Sequence, residues 1–96
     1  EEYDAMREHV ARVAATRARL TAGLRALGYD VPPSQANFVL ARRPGVDQRP
    51  VLEALKRRRI LVRWFDVPEL RDALRISVGT DAEVDALLAA LGEETA

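Results

Sequence analysis

The chain has 96 residues, of which 15 are basic and 15 acidic, so its formal net charge is zero. This length suits one small domain with a single hydrophobic core. The balanced charge gives no electrostatic reason to expect nucleic acid or an anionic membrane as a partner. The sequence contains no cysteine, which excludes disulfides and thiolate metal sites.

Nothing in the sequence indicates a membrane protein or a secreted one. The apolar runs are far shorter than the about 20 residues that span a membrane, and the N-terminus lacks the pattern of a signal peptide. We therefore expect a cytoplasmic protein with no membrane partner. Arginine greatly outnumbers lysine, since Lys56 is the only lysine. Such a bias reflects genomic base composition, so an arginine is informative only where its position is unusual.

The first part of the chain predicts one long amphipathic helix over residues 3–27. Its apolar residues recur at steps of three, four and seven: Tyr3, Met6, Val10, Val13, Leu20, Leu24 and Leu27. Gly28 supplies the helix stop. A helix of about 25 residues is about 37 Å long, which is more than one small sheet requires. Either the helix bridges to a further part of the polypeptide, or its first turns fray in solvent.

Three stretches rich in β-branched and aromatic residues predict strands. They cover residues 35–41, 60–65 and 73–80. In the first stretch we expect Phe38 and Leu40 to face the helices and Asn37 to face the opposite side. A polar hairpin joins the second stretch to the third.

Two shorter helices complete the chain. One follows Asp47, which can cap it, and ends in the cations of residues 56–59, where the helix dipole favours positive charge. This dipole role explains the basic run better than nucleic-acid binding does, because no aromatic stacking platform accompanies it. The last helix begins at a capping box formed by Thr80 and Glu83, and Gly92 is expected to end it.

The order of elements predicts an α+β fold in a single domain over residues 1–96, with its core within 35–92. We expect a two-layer α/β sandwich with a three-stranded, mostly antiparallel sheet in the order 1-3-2. The helices lie on one face of the sheet, and the long helix precedes it. The other face is left open to water or to a partner domain.

Two arginines in the middle of predicted strands are the unusual feature of this sequence. The period of two places Arg63 and Arg75 on the same face, opposite the apolar rows of their strands. A guanidinium offers a planar fork that binds carboxylate or phosphate through two parallel N–H donors. The alternative is an ion pair within the protein, and its acidic partners would come from the hairpin: Asp66, Glu69 or Asp72.

The common catalytic constellations are absent from this sequence. His9 is the only histidine, so no catalytic triad and no histidine metal set can be assembled. The glycines stand alone and form no phosphate-binding loop. We expect Lys56 to be a surface charge, and we expect neither a catalytic residue nor a metal site in this chain.

Three segments together resemble the C-terminal small domain of class I and class II pyridoxal-phosphate aminotransferases. They are residues 33–39 (PSQANFV), 60–65 (ILVRWF) and 74–80 (LRISVGT). The resemblance is greatest to the histidinol-phosphate branch, whose motifs run Ser-x-x-Asn-Phe, Gly-Ile-x-Val-Arg and Leu-Arg-Ile-Thr-Val-Gly-Thr. One position departs from these motifs, because Arg59 occupies the place of the glycine. If its backbone is left-handed, arginine there costs about 1 kcal/mol.

The resemblance implies that Arg75 binds the substrate carboxylate or, in the histidinol-phosphate branch, the substrate phosphate. Arg63 would assist it, and Asn37 would lie beside them. The reaction implied is transamination between histidinol phosphate and 2-oxoglutarate with pyridoxal 5'-phosphate as cofactor. The lysine, the aspartate and the phosphate-binding groups that hold this cofactor belong to a large upstream domain that this chain lacks. The implied partners are therefore that domain, a small anionic substrate and a second subunit of a homodimer, and the chain alone should be inactive.

Two other functions fit the same residues. A different fold-type I pyridoxal-phosphate enzyme, such as a threonine-phosphate decarboxylase, would use the same arginines for another amino phosphate. A free-standing ferredoxin-like module would instead bind a small anion, or another protein, through the open face of its sheet.

Overall fold

The computed structural model describes residues 2–95, with side chains from residue 4 onward, and shows an α+β fold of three helices and an antiparallel sheet. In chain order the elements are α1 (Glu2–Ala26), β1 (Phe38–Arg42), α2 (Arg49–Arg57), β2 (Ala73–Ser77) and α3 (Asp81–Thr95). The α+β class and the order of the helices agree with the prediction. Among the described residues, no helix is both long and apolar enough to cross a membrane.

One face of the sheet forms the floor of the hydrophobic core. Val39 lies opposite Ile76 and Ala41 lies opposite Leu74, and each of the four is at most 2% exposed. Apolar side chains of all three helices pack onto this face: Leu20, Leu24, Leu55, Val84, Leu87 and Leu91. The helices therefore cover one side of the sheet, as the sequence predicts.

The predicted orientation of β1 is wrong by one residue. Val39 and Ala41 face the helices, whereas Phe38 and Leu40 lie on the other side of the sheet. The run is apolar at every position, so hydrophobicity alone does not distinguish the two registers, and a shift of one residue exchanges the faces.

The three-stranded sheet is not found, because the described sheet has two strands. Of the predicted strand 60–65, only Arg63 pairs with the sheet, through a single antiparallel bridge to Arg75. The N–H of each residue donates to the carbonyl of the other at 2.9 Å. The chain turns before this bridge at Arg59, which has a φ of 60°. Beyond it, the Trp64 indole N–H donates to the Arg71 carbonyl at 2.9 Å, which holds the chain in a loop.

The segment 60–65 nevertheless keeps the predicted alternation and position. Ile60, Val62 and Trp64 pack against the core, while Leu61 is 82% exposed. Because β2 pairs with β1 along one edge and with Arg63 along the other, it lies between them, as the order 1-3-2 requires.

Helix α1 is continuous, but only its C-terminal half lies on the core. Leu20 and Leu24 are fully buried, whereas Met6 and Val10 are 67% and 65% exposed. The predicted buried stripe therefore holds only for the second half of the helix, and the side chain of Tyr3 lies outside the described residues. The described chain measures 47 × 25 × 22 Å along its principal axes. The long dimension exceeds the about 37 Å expected for a 25-residue helix.

Helices α1 and α3 approach each other closely at one glycine. A Cβ atom added at Gly23 would lie 2.5 Å from Cδ1 of Leu88. Near this crossing, the buried Thr16 hydroxyl donates to Asp81 at 3.1 Å, and Arg19 forms ion pairs with Asp81 and Asp85. These contacts fix the start of α3 against the middle of α1.

The capping box at the start of α3 has the predicted hydrogen bonds. The Thr80 N–H donates to Oε1 of Glu83 at 2.9 Å, and the Glu83 N–H donates to the Thr80 hydroxyl at 3.1 Å. The hydrogen bond that the Thr80 backbone N–H donates to the Glu83 carboxylate is the main cause of the lowered pKa of Glu83. The box thus satisfies two amides of the first turn.

The predicted end of α3 at Gly92 is wrong, because the helix continues to Thr95. Glycine inside a helix costs only about 1 kcal/mol relative to alanine, so nearby contacts can override it. Arg58 of the α2 turn pairs with Glu93 at 2.5 Å and with Glu94 at 3.5 Å. The sequence also predicts that residues 93–96 fray, but residues 93–95 belong to the helix, and Ala96 lies outside the described residues.

Helix α2 begins one residue later than Asp47 suggests. The N-cap is Gln48, whose side chain makes no capping bond because it is fully buried. Its Oε1 accepts from the Tyr29 hydroxyl at 2.8 Å, and its Nε2 donates to the Val46 carbonyl. Burial also raises the pKa of Tyr29. Asp47 still contributes, since its carboxylate accepts from the Arg49 N–H at 2.9 Å.

Candidate functional site

The open face of the sheet carries both predicted arginines. Arg75 is at the centre of β2 and Arg63 is its bridge partner on the neighbouring segment. Residues directly opposite in an antiparallel pair project to the same side, so the structure brings the two exposed side chains together. Two cations thus lie side by side on the face of the sheet that the helices leave uncovered.

The acidic residues of the hairpin do not neutralise this pair. Among the described side chains, no ion pair joins Arg63 or Arg75 to a carboxylate. The two hairpin aspartates have other partners: Asp66 pairs with Arg71, and Asp72 pairs with Arg42. Among the described residues, the structure therefore does not contain the ion pair to a hairpin acid that the sequence left as an alternative, and both arginines are exposed.

Phe38 lies directly against one of these guanidinium groups. The Cζ atom of Arg75 is 4.1 Å from the centroid of the Phe38 ring. The sequence prediction missed this contact because it assigned Phe38 to the helix side. The signal that could have found it is the pairing register, in which Phe38 lies opposite Ser77 and Leu40 opposite Arg75.

Asn37 does not lie beside the arginines, and this expectation is wrong. Its carbonyl accepts from the Val78 N–H at 2.8 Å, which extends the β1–β2 pairing by one step. Alternation then places its side chain on the same side as Val39. It lines a groove against α1 together with His9 and Arg17. Its role in substrate binding stays a prediction.

Ser34 shapes the loop that leads into β1. Its hydroxyl donates to the Phe38 carbonyl at 2.9 Å and accepts from the Ala36 N–H at 3.1 Å. The loop is held closed around Asn37, which fixes where Phe38 enters the sheet. A serine that has no histidine to activate it thus has a structural role.

The described residues offer no alternative centre for chemistry. Among residues 4–95, no three carboxylate or histidine side chains lie close enough together to hold a metal ion. The hydrogen bonds from Arg19 and then Thr16 lower the pKa of Asp81, which belongs to the junction of α1 and α3. The arginine pair is therefore the best candidate for a binding site.

Comparison with known proteins decides the family. The family model for class I and class II aminotransferases matches residues 1–91 of this chain. The chain belongs to that family.

Relatives of this aminotransferase chain include histidinol-phosphate aminotransferases. The one named histidinol-phosphate aminotransferase 2 in Burkholderia lata is 52% identical over 82 residues, which cover 85% of this chain and 23% of that protein. The crystal structure of histidinol-phosphate aminotransferase from Sinorhizobium meliloti, in complex with pyridoxal-5'-phosphate, is 32% identical. It superimposes with a TM-score of 0.84, covering 97% of this chain and 26% of that one.

A more distant structure shares the fold. Histidinol-phosphate aminotransferase from Clostridium acetobutylicum is 19% identical, with a TM-score of 0.85 over 99% of this chain and 30% of that one. This likeness supports the α+β architecture alone. The chain spans between 23% and 30% of the length of these three proteins.

The residues of this aminotransferase chain do not by themselves form a pyridoxal-phosphate site. The cofactor is held covalently by a lysine. Lys56 is exposed in the last turn of α2, a helix on the covered side of the sheet, whereas the arginine pair faces the other side. The position of the only lysine therefore does not bring it to the arginine pair.

Proposed function

We propose that this chain supplies the anion-binding wall of a pyridoxal-phosphate-dependent aminotransferase that acts on histidinol phosphate. The reaction would transfer the amino group of histidinol phosphate to 2-oxoglutarate, giving imidazole acetol phosphate and glutamate. The observation that carries the proposal is the pair Arg63 and Arg75, adjacent on the open sheet face and joined to no described carboxylate. The names of the relatives supply the substrate.

The chemistry of the two substrates explains why a pair of arginines suits this site. Histidinol phosphate carries a phosphate and no carboxylate, whereas 2-oxoglutarate carries carboxylates and no phosphate. One site must therefore accept both kinds of anion in turn. A guanidinium fork binds either through two parallel N–H donors. We assign the main contact to Arg75, in the centre of β2, and a supporting one to Arg63.

The rest of the proposed enzyme lies outside this chain. We propose that a large domain contributes the lysine and the other groups that hold the cofactor, and that two subunits form a homodimer in the cytoplasm. The length of the relatives supports the large domain, since this chain spans 23% of the Burkholderia lata protein. Size-exclusion chromatography of the full-length protein and fractionation of cells would test the dimer and the location.

A product assay on the full-length protein tests the substrate. We expect transamination of histidinol phosphate, with 2-oxoglutarate consumed and glutamate formed. Threonine phosphate is the comparison substrate, because a threonine-phosphate decarboxylase would release carbon dioxide from it. Decarboxylation of threonine phosphate without transamination of histidinol phosphate would overturn the proposal in favour of that enzyme. The family match favours either enzyme over a free-standing ferredoxin-like module.

A further inference from the structure

The ring beneath Arg75 has a role that the anion site alone does not explain. We propose that Phe38 is a positioning residue for Arg75, holding the flat face of the guanidinium so that its N–H edge stays turned toward the anion. The inference rests on the proposed function and adds a specific part to it. It concerns a side chain that does not touch the substrate and acts only through the arginine.

The sheet register places the ring and the guanidinium together. Leu40 is directly opposite Arg75, so Phe38, two residues earlier on β1, is the diagonal neighbour of Arg75 on the same face. Diagonal pairs are within reach of aromatic and long side chains. The Cζ atom is 4.1 Å from the ring centroid, well inside the about 6 Å range of a cation–π contact.

A ring is a better support for a binding arginine than an acid is. A carboxylate would orient the guanidinium by occupying its N–H donors, and it would then compete with the substrate anion. The π face of Phe38 attracts the cation without using any donor. Arg42 provides the contrast in the same sheet, because Asp72 engages its guanidinium. Arg75, which has a ring beneath it and no described carboxylate partner, keeps its donors available.

The exposure of Phe38 fits this role as well. Phe38 is 37% exposed and its pairing with Ser77 is the terminal one of the β1–β2 ladder, so its ring contributes only partly to packing. The ring also excludes water from one side of Arg75. Charge-assisted hydrogen bonds are stronger where fewer waters compete for the charged group.

The test uses the full-length enzyme and three single variants. Phe38→Leu removes the ring, Phe38→Tyr keeps its face, and Phe65→Leu is the matched control. Phe65 is a phenylalanine of similar exposure, 39%, whose ring has no described arginine over it. The readouts are KM and kcat for histidinol phosphate and the inhibition constant of inorganic phosphate.

We expect Phe38→Leu to raise both KM and the phosphate inhibition constant by about three- to tenfold, the size of a cation–π contact, with a smaller change in kcat. Phe38→Tyr and Phe65→Leu should stay within about twofold of the wild type. If the leucine variant does not fold, Phe38→Met, which also lacks a ring, replaces it in the comparison. A loss in Phe38→Tyr as large as in Phe38→Leu would overturn the inference, and so would an equal loss in Phe65→Leu.

A double variant separates this inference from the proposed function. In the Arg75→Ala background, Phe38→Leu should have no further effect on the phosphate inhibition constant, because the ring acts only through the arginine. If Arg75→Ala weakens phosphate binding and Phe38→Leu alone does not, the positioning role fails and the proposed function stands. If Arg75→Ala leaves phosphate binding unchanged, the proposed function itself fails.

Discussion

The two faces of the sheet are made from the same two strands, but they differ in what holds their side chains in place. On the covered face, Val39, Ala41, Leu74 and Ile76 are at most 2% exposed, and their packing against the helices accounts for their identity. On the open face, Arg75 projects from between two of those buried residues, and no described acid explains it. The difference separates the residues that maintain the fold from those available for binding.

The largest expected effect comes from breaking the covered face. Leu74→Ala should destabilise the chain by about 2–5 kcal/mol, because it leaves a cavity in a fully buried site. Urea unfolding followed by circular dichroism measures this. Leu61→Ala is the control, since Leu61 is 82% exposed and its loss should change stability by less than about 0.5 kcal/mol. Equal losses in both variants would contradict the distinction between the faces.

Substitutions on the open face should change the kinetics of the enzyme and leave the stability of the fold unchanged. In the full-length enzyme, Arg75→Ala should lower kcat/KM for histidinol phosphate at least tenfold, on the order of 2 kcal/mol for a lost charge-assisted contact, mainly through KM. Arg57→Ala removes the same charge from an exposed position on α2 and should leave the kinetics unchanged. Steady-state kinetics that are identical for both variants would rule out the site.

A smaller effect should come from the residue that turns the chain toward the open face. Arg59 has a φ of 60°, in the left-handed region where glycine is favoured. Arg59→Gly should stabilise the chain by about 0.5–1 kcal/mol, after allowing for the greater freedom of glycine in the unfolded state. Arg57→Gly, at the last residue of α2, should instead destabilise it by up to about 1 kcal/mol. Thermal unfolding compares them, and a loss of stability in Arg59→Gly would show that this turn is not strained.

The smallest expected effect is on the stability of the fold at acid pH, and it comes from the capping box of α3, one of the helices that cover the sheet. Hydrogen bonds lower the pKa of Glu83 from its ordinary value of 4.5. The stabilisation is complete above that ordinary value and is lost as pH falls through the lowered pKa of the folded state. Glu83→Gln keeps a capping side chain but cannot ionise, so its Tm should fall less steeply in acid than that of the wild type.

Glu53→Gln is the control for this titration, because Glu53 is exposed and has no hydrogen-bond partner among the described side chains. Its Tm should follow the wild-type pH profile. A profile of Glu83→Gln that coincides with that of the wild type would show that the capping box contributes nothing through its charge.

The features that the sequence predicted correctly are those that depend on local signals. The capping box, the end of α1 before Gly28, which has a φ of 95°, and the alternation around Arg63 are each determined by residues within a few positions of one another. The shared face of Arg63 and Arg75 followed from the same period of two. The errors arose where distant groups decide the outcome.

Three of these errors have identifiable physical causes. The register of β1 depends on packing, because its run is apolar on both faces. The strand 60–65 is reduced to one bridge by contacts made outside it, at Trp64 and Arg59. The last helix passes Gly92, and Arg58, from another element, pairs with Glu93 and Glu94 beyond it.

Contacts between distant residues also explain why the sequence could not predict that Arg75 has no carboxylate partner among the described residues. Three hairpin acids were candidate partners, and nothing local distinguishes one arginine from another. The sheet register decides the matter, because Arg42 lies opposite Ala73 and therefore next to Asp72. Arg42 thus engages that carboxylate, and Arg75 keeps no hairpin acid as a described partner.

The close approach of α1 and α3 has a consequence for how this sequence can diverge. Alanine at Gly23 would place its methyl group 2.5 Å from Leu88, so the leucine must move or become smaller. The two positions should therefore vary together among related sequences, with a larger residue at position 23 accompanied by a smaller one at position 88. An alignment of the family would reveal this as a correlated pair that joins two helices from opposite ends of the chain.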